Sequence, residues 1–189
     1  KRESGSGMVA SWGIVTGAGG RRDPSSRVDQ RWIAPGWRPY AHTMQFAKLV
    51  PELCCSDIER SLSFYTEILG FSVAYARPEE RFAYLERGGA QIMVEQSMGR
   101  GFVAAELVYP YGRGVNLQIE VADVAALYAT VEASDASIFL PLEDKWYRRD
   151  RTLLGNRQFI VQDPDGYLLR FFEDLGVKHF IETVGANNL

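Results

Sequence analysis

The sequence contains little cysteine and histidine and no long hydrophobic run. Two cysteines and two histidines occur among its 189 residues. The cysteines, Cys54 and Cys55, are adjacent, and because neighbouring residues on a strand point to opposite faces, we expect no structural disulfide between them. The apolar stretch at residues 12–15 is too short for a secretion signal or a membrane span. These shortages favour a cytoplasmic protein with reduced thiols and no membrane partner.

Basic charge is also scarce in most of the chain. The formal net charge is −3, but residues 1–43 hold seven Lys/Arg against three Asp/Glu, whereas residues 44–175 hold thirteen against twenty. Proteins that bind nucleic acid present clustered basic charge, so this acidic body argues against a nucleic-acid partner. It is compatible with a small cationic ligand.

The first 43 residues differ from the rest of the chain. They are rich in Gly, Ser, Pro and Arg and show no sustained hydrophobic periodicity, whereas regular patterning starts just after Met44. We therefore expect residues 1–43 to be a non-native or loosely ordered extension. Residues 44–175 are expected to form the folded domain, and residues 176–189 a tail.

The folded part shows one pattern of elements twice. Each copy begins with an apolar strand, continues with an Asp-capped helix and ends with three strands. In the first copy a helix follows Asp57 and stops at Gly70, and the strands are predicted at residues 46–53, 71–76, 81–86 and 90–95. In the second copy a helix follows Asp123, and the strands are predicted at residues 115–121, 138–142, 158–162 and 167–172.

This repetition predicts an α+β fold built from two βαβββ modules, at about residues 46–97 and 114–174. A module of this size cannot bury both faces of its sheet alone. The two modules are therefore expected to pair into a curved mixed sheet around a cleft. Whether they pair within one chain or across a dimer is left open by the pattern.

A family resemblance rests on three segments: VPELCCSD at 50–57, SFYTEILGF at 63–71 and NRQFIVQDPDG at 156–166. They resemble the vicinal-oxygen-chelate superfamily, which includes glyoxalase I, bleomycin-resistance proteins and extradiol dioxygenases, and are most similar to its bleomycin-resistance branch. The resemblance covers about residues 46–174 and implies the paired βαβββ fold. It also implies a homodimer that binds a bleomycin-like cationic drug.

The same resemblance bears on metal binding. Enzymatic members hold a divalent ion with His, Gln or Glu side chains, and the matching positions here are Val50, Asn116 and Arg170. Only Glu95, on the fourth strand, keeps a possible oxygen donor. Since a valine cannot ligate and an arginine repels a divalent cation, we expect no metal, no cofactor and no catalytic residue.

Strand alternation and the resemblance together predict the residues of the ligand cleft. These candidate ligand-binding residues are Glu52, Phe82, Tyr84, Glu95, Asn116, Gln118, Trp146, Tyr147 and Arg170. The pair Trp146 and Tyr147 is predicted to lie in a loop after the sixth strand, where it covers the core, contacts a dimer partner or stacks on a planar ligand. Arg170 is expected to pair with Glu52 or Glu95, to lie in a cleft whose acidic surplus favours a cationic guest, or to do both.

Three functions remain open at this point. The first is sequestration of a basic aromatic antibiotic without metal or turnover. The second is a glyoxalase- or dioxygenase-like lyase with an atypical metal site that uses Glu52 and Glu95. The third is binding of an unknown small metabolite.

Overall fold

The structure, a computed structural model, describes residues 45–97 and 102–179, which contain two modules with the same order of elements. The first module consists of β1 (Glu52–Cys55), α1 (Ile58–Ser63), β2 (Ser72–Arg77), β3 (Phe82–Arg87) and β4 (Ala90–Gln96). The second module consists of β5 (Asn116–Glu120), α2 (Val124–Glu132), β6 (Ser137–Arg149), β7 (Thr152–Gln162) and β8 (Leu168–His179). The predicted α+β fold with two βαβββ modules is confirmed.

Each module forms its own four-stranded mixed sheet. The strand orders are β1-β4-β3-β2 and β5-β8-β7-β6, with the first pair in each parallel and the others antiparallel. In the parallel pairs Glu52 lies beside Met93, and Gln118 lies beside Arg170. The two sheets therefore repeat each other strand by strand, as the duplicated sequence pattern predicts.

Both helices begin where a capping aspartate was predicted. The Asp57 carboxylate accepts hydrogen bonds from the backbone N–H groups of Glu59 and Arg60, at 3.0 and 3.2 Å. Asp123 accepts one from the N–H of Ala126 at 2.8 Å. Helix α1 continues as a single π-helical turn over residues 64–68 before the chain leaves it. Among the described residues, no helix is long and apolar enough to cross a membrane.

One face of each sheet and the helix that packs on it form the core. The buried positions include Leu53, Ile119, Phe159, Val161, Leu169 and Phe171. All six have the strand parity that was predicted for the helix-covered face, so that register is confirmed. Leu49 is an exception, since it is 85% exposed and lies before β1 begins at Glu52. The prediction of a first strand over residues 46–53 was therefore wrong at its start.

The two modules meet at the turn between β7 and β8. The Asp165 carboxylate accepts hydrogen bonds from the backbone N–H of Ser56, at 3.0 Å, and from the Ser61 hydroxyl, at 3.4 Å. The Tyr65 hydroxyl, also from the first module, donates to Asp163 at 3.0 Å. The Asp-Pro-Asp-Gly segment is thus both the predicted turn and the polar contact between the modules.

The second module contains a longer hairpin than the sequence pattern predicts. Strands β6 and β7 pair from Ser137–Gln162 at one end to Arg149–Thr152 at the other. β8 continues through His179, so the first residues of the predicted tail are strand. The predicted extension at residues 1–43 and the end of the tail lie outside the described residues.

Candidate functional site

The second module carries a cavity of about 460 Å³ on the sheet face opposite the core. Its described lining residues all come from the second module: Gln118, Glu120, Tyr147, Leu154, Asn156, Arg170, Phe172 and Asp174. Strand alternation places these side chains together, because β5, β7 and β8 each contribute every second residue to this face. We call this space the second-module cavity.

Arg170 is a basic residue of the lining of the second-module cavity. Its Nη1 lies 3.4 Å from the Tyr147 hydroxyl, a long contact that contributes little. Its Nε is buried and has no hydrogen-bond partner. Behind Tyr147, the buried amide of Gln158 donates to the Tyr147 hydroxyl at 2.8 Å and to Glu143 at 3.0 Å. This polar network orients Tyr147 and leaves the guanidinium of Arg170 without an anionic partner among the described residues.

The corresponding face of the first module is acidic. Glu52 on β1 and Glu95 on β4 are close enough to share a hydrogen bond. Partial desolvation raises the pKa of Glu52, and the hydrogen bond and negative charge of Glu95 raise it further. Desolvation and these two carboxylates also raise the pKa of the Cys54 thiol between them. The Cys54 sulfur is therefore a protonated thiol near neutral pH and a poor nucleophile. We call this surface the acidic face.

An aromatic cluster lies next to the acidic face. The rings of Tyr75 and Tyr84 stack with centroids 5.1 Å apart, and Tyr75 also packs against Phe82 at 5.9 Å. The guanidinium of Arg77 lies over the Phe82 ring at 3.7 Å, and Phe46 packs edge-on against Tyr84 at 5.6 Å. Phe82 and Tyr84 are each only 2% exposed. Side chains of the same chain therefore already cover both rings, so they support the acidic face and do not present an open surface to a ligand.

The predicted loop position of Trp146 and Tyr147 was wrong, since both belong to β6. As strand neighbours they point to opposite faces. Tyr147 lines the second-module cavity, whereas the Trp146 ring lies over Gly155 and is capped by the Lys178 ammonium, 3.5 Å from the ring centroid. Trp146 therefore packs on the far side of the hairpin, away from the cavity.

The structure brings some of the predicted ligand-binding residues together and separates others. Gln118, Tyr147 and Arg170 share the second-module cavity, and Glu52 and Glu95 share the acidic face. The predicted alternative in which Arg170 pairs with Glu52 or Glu95 within the chain is wrong, because no such ion pair forms. Asn116 is exposed at the start of β5 and is not among the described lining residues.

Five residues that line the second-module cavity are absent from the predicted ligand-binding set: Glu120, Leu154, Asn156, Phe172 and Asp174. Glu120 and Phe172 lie within predicted strands, whereas the other three lie in the parts of β7 and β8 that were not predicted to be strand. Their signal was present, since Leu154 and Asn156 continue the alternation of the predicted strand, but Gly155 between them weakened it.

The positions at which relatives hold a metal do not fit a divalent ion here. Val50 offers no donor atom, and Arg170 brings a fixed positive charge to the cavity. Among residues 45–97 and 102–179, no group of three or more His, Cys, Asp or Glu side chains is placed to hold a metal. The expectation that the protein works without a metal remains a prediction.

Comparison with known proteins gives concordant matches. The model of the Glyoxalase/Bleomycin resistance protein/Dioxygenase superfamily matches residues 40–171. The bleomycin resistance protein of Geobacillus stearothermophilus is 27% identical over 137 residues, which cover 67% of this chain and 96% of that protein.

Solved structures are similar as well. TioX from Micromonospora sp. ML1 is 26% identical with a TM-score of 0.54, over 69% of this chain and 100% of TioX. A glyoxalase/bleomycin resistance protein/dioxygenase superfamily member from Vibrio splendidus 12B01 is 44% identical over 66% of this chain and 95% of that chain, with a TM-score of 0.32.

Proposed function

This chain belongs to the glyoxalase/bleomycin resistance protein/dioxygenase superfamily, and from that premise we propose that it binds and sequesters a basic aromatic antibiotic of the bleomycin kind without converting it. Sequestration needs affinity and abundance rather than stabilisation of a transition state. The proposal draws on the similarity to bleomycin resistance proteins over 96% of their length.

The observation that carries the proposal is the acidic face beside the aromatic cluster. The Glu95 carboxylate raises the pKa of Glu52, because two like charges share one surface. A bound cation relieves that repulsion, so the pair favours a positively charged guest. The nearby Arg77 pairs with Glu80 and does not neutralise the two carboxylates by an ion pair.

The proposal includes a homodimer. In one chain the described lining of the second-module cavity comes from the second module alone, and the acidic face belongs to the first. A half-cleft of this kind encloses a large ligand poorly, since binding sites bury most of the ligand surface. A second copy that places its acidic face opposite the second-module cavity would close the cleft, and C2 symmetry would then create two equal sites.

Calorimetric titration with metal-free bleomycin tests the proposed function. We expect saturable binding to the wild type and about tenfold weaker binding to the E52Q/E95Q variant, because the two partly exposed charges together contribute roughly 1–2 kcal/mol. The control is E106Q, which removes a carboxylate from an exposed loop position. Wild-type protein that releases no heat at high micromolar drug contradicts the proposal.

Turnover and metal content are measured on the same preparations. Mass spectrometry of the drug after long incubation is expected to show it unchanged. Elemental analysis of protein purified without chelators is expected to show no stoichiometric metal. Stoichiometric nickel, zinc, iron or manganese at the cleft, or a modified drug, contradicts the non-enzymatic part of the proposal and favours an atypical lyase.

A further inference from the structure

The second-module cavity holds a positive charge that no described residue neutralises by an ion pair. The ion pairs formed by the described residues join Arg77 to Glu80 and Arg157 to Asp144, and none includes Arg170. Within residues 45–97 and 102–179, the buried Arg170 Nε finds no acceptor, and the Nη1 makes one polar contact, the long one to Tyr147. A buried donor without an acceptor costs free energy. Because the Nε itself is enclosed, a guest in the cavity would bind the guanidinium through its terminal Nη groups.

Two carboxylates also line this cavity, but neither takes the role of partner. Glu120 and Asp174 are both solvent-exposed, and Asp174 accepts a hydrogen bond from the backbone N–H of Gly176 at 2.7 Å. Water and salt screen exposed charges, whereas a partly buried guanidinium is screened less. The cavity therefore combines one partly buried cationic group with two exposed carboxylates.

We infer that Arg170 binds a carboxylate group of the ligand, with the Tyr147 hydroxyl as the second contact. The planar guanidinium fits a carboxylate through two parallel N–H···O bonds, and the Tyr147 hydroxyl lies close enough to reach one of the same oxygens. Leu154 and Phe172 supply apolar walls beside this contact. The ligand class is thus an aromatic or apolar molecule with a single carboxylate in addition to its cationic group.

This inference rests on the proposed function and extends it. The guest of the assembled cleft then has two ends, a cationic group for the acidic face and a carboxylate for Arg170. A single guanidinium matches one negative charge, and the exposed carboxylates of Glu120 and Asp174 oppose a doubly charged group. We therefore assign a carboxylate rather than a phosphate monoester.

The test uses three probes with the same ring system: 2-naphthoate, its neutral amide 2-naphthamide, and 2-naphthyl phosphate. Binding to the wild-type protein is measured by calorimetry and by ligand-detected NMR. We expect 2-naphthoate to bind about tenfold more tightly than 2-naphthamide, because charge-assisted hydrogen bonds to a carboxylate are the stronger kind. The phosphate is expected to bind more weakly than the carboxylate.

Variants of Arg170 test whether this residue causes the preference for 2-naphthoate over 2-naphthamide. R170Q is expected to abolish the preference of the protein for the acid over the amide, and R170K to keep part of it, since lysine retains the charge but not the paired geometry. The matched control is R157Q. It removes the same charge from β7 at a side chain that is 41% exposed and bonded to Asp144, and it is expected to leave the preference unchanged.

Several results overturn the inference. These are equal affinity of the wild type for acid and amide, tighter binding of the phosphate, or an acid preference that survives in R170Q. A preference that appears only in E52Q/E95Q also contradicts it, because Arg170 would then be neutralised by the acidic face of a second copy. If R170Q does not fold, the inference is tested by the acid-over-amide preference of R170K and by that of the wild type.

The bleomycin titration separates this inference from the proposed function. If the wild type binds bleomycin and does not discriminate between 2-naphthoate and 2-naphthamide, the proposed function stands and the assignment of Arg170 fails. If the wild type discriminates between the two probes and ignores bleomycin, the carboxylate site stands and the drug-binding proposal fails.

Discussion

Asp163 shows how a single residue joins the two modules. Its carboxylate is 5% exposed and accepts three hydrogen bonds, from the Tyr65 hydroxyl and from the backbone N–H groups of Asp165 and Tyr167. These bonds favour the ionised form, but burial opposes it more strongly, so the pKa of Asp163 is raised above its ordinary value of 3.8. The contact is therefore sensitive to the loss of any one donor.

Replacement of Tyr65 by phenylalanine tests that sensitivity. Y65F leaves one buried Asp163 oxygen without its donor, so we expect a loss of about 1–3 kcal/mol in the free energy of unfolding. The measurement is urea denaturation followed by circular dichroism. If Y65F and the wild type have the same free energy of unfolding, the Tyr65–Asp163 contact contributes nothing to stability.

The pH dependence of Y65F follows from the same residue. Because the folded pKa of Asp163 is raised, the folded protein binds more protons than the unfolded chain near pH 3.8. The stabilising contribution of Asp163 is present at pH values below its ordinary pKa of 3.8. It is lost as the pH rises through the raised pKa of Asp163 in the folded protein. Y65F raises that pKa further, so its destabilisation is expected to be larger at pH 7 than near pH 4. An effect of equal size at both pH values contradicts this assignment.

Glu52 is also expected to make the affinity for a cationic ligand depend on pH. Its pKa lies above the ordinary value of 4.5, and a cation binds the ionised form. The affinity for benzyltrimethylammonium, whose charge does not titrate, is therefore expected to fall as the pH is lowered through the raised pKa of Glu52. Calorimetry over roughly pH 4 to 8 measures this fall. In E52Q the remaining pH dependence is expected to be smaller, and an unchanged profile would exclude Glu52.

At the scale of elements, the β6–β7 hairpin shapes the cavity. Gly155 lies opposite Trp146 in the register, and a Cβ at this glycine would lie 2.6 Å from two atoms of the Trp146 ring. The glycine thus allows the indole to lie flat on the strand, where Lys178 covers it. That packing fixes the strand from which Leu154 and Asn156 point to the other face.

Substitution of Gly155 by alanine tests this packing. We expect G155A to destabilise the protein by about 1–3 kcal/mol, because the added methyl group overpacks the indole. Thermal denaturation measures the change. The double variant G155A/W146L is the control, since the smaller side chain makes room for the methyl group and a double-mutant cycle isolates the contact. Additive effects of the two substitutions contradict a direct clash.

At the scale of the whole molecule, the proposed homodimer defines the binding cleft. Each chain offers an acidic face on one module and the second-module cavity on the other, and the proposed dimer brings the acidic face of one copy to the cavity of the other. Every binding cleft then draws on two chains. In such a dimer, two variants with defects in different modules are expected to complement each other, whereas a cleft built within one chain would not allow this.

Mixing two variants that each bind bleomycin weakly tests whether the cleft is shared between subunits. E52Q/E95Q damages the first module and Y147A damages the second, and neither is expected to bind bleomycin tightly alone. After subunit exchange, about one quarter of all clefts are expected to combine an intact first module with an intact second module. Calorimetry of the mixture is expected to recover that fraction of wild-type binding. No recovery in a mixture whose exchange is verified by mass spectrometry contradicts a cleft shared between subunits.

Much of the fold could be predicted from local sequence. The capping positions of Asp57 and Asp123, the turn at residues 163–166 and the apolar parity of β7 and β8 all depend on neighbours within a few residues. Helix capping and strand alternation are short-range effects, so the sequence pattern reports them directly. The repeat of that pattern then determined the two-module architecture.

Only the tertiary structure decided which side chains meet. The Tyr65–Asp163 bond joins residues 98 positions apart, and no periodicity reports such a contact. The extension of the β6–β7 hairpin beyond the predicted strands at 138–142 and 158–162 escaped prediction because Gly155 interrupts the strand pattern. The Trp146 ring fills the space that the missing side chain leaves. The sequence alone determined that Arg170 would point into a cleft. That Arg170 would have no carboxylate partner there was decided by packing, which places Glu52 and Glu95 together on the other module.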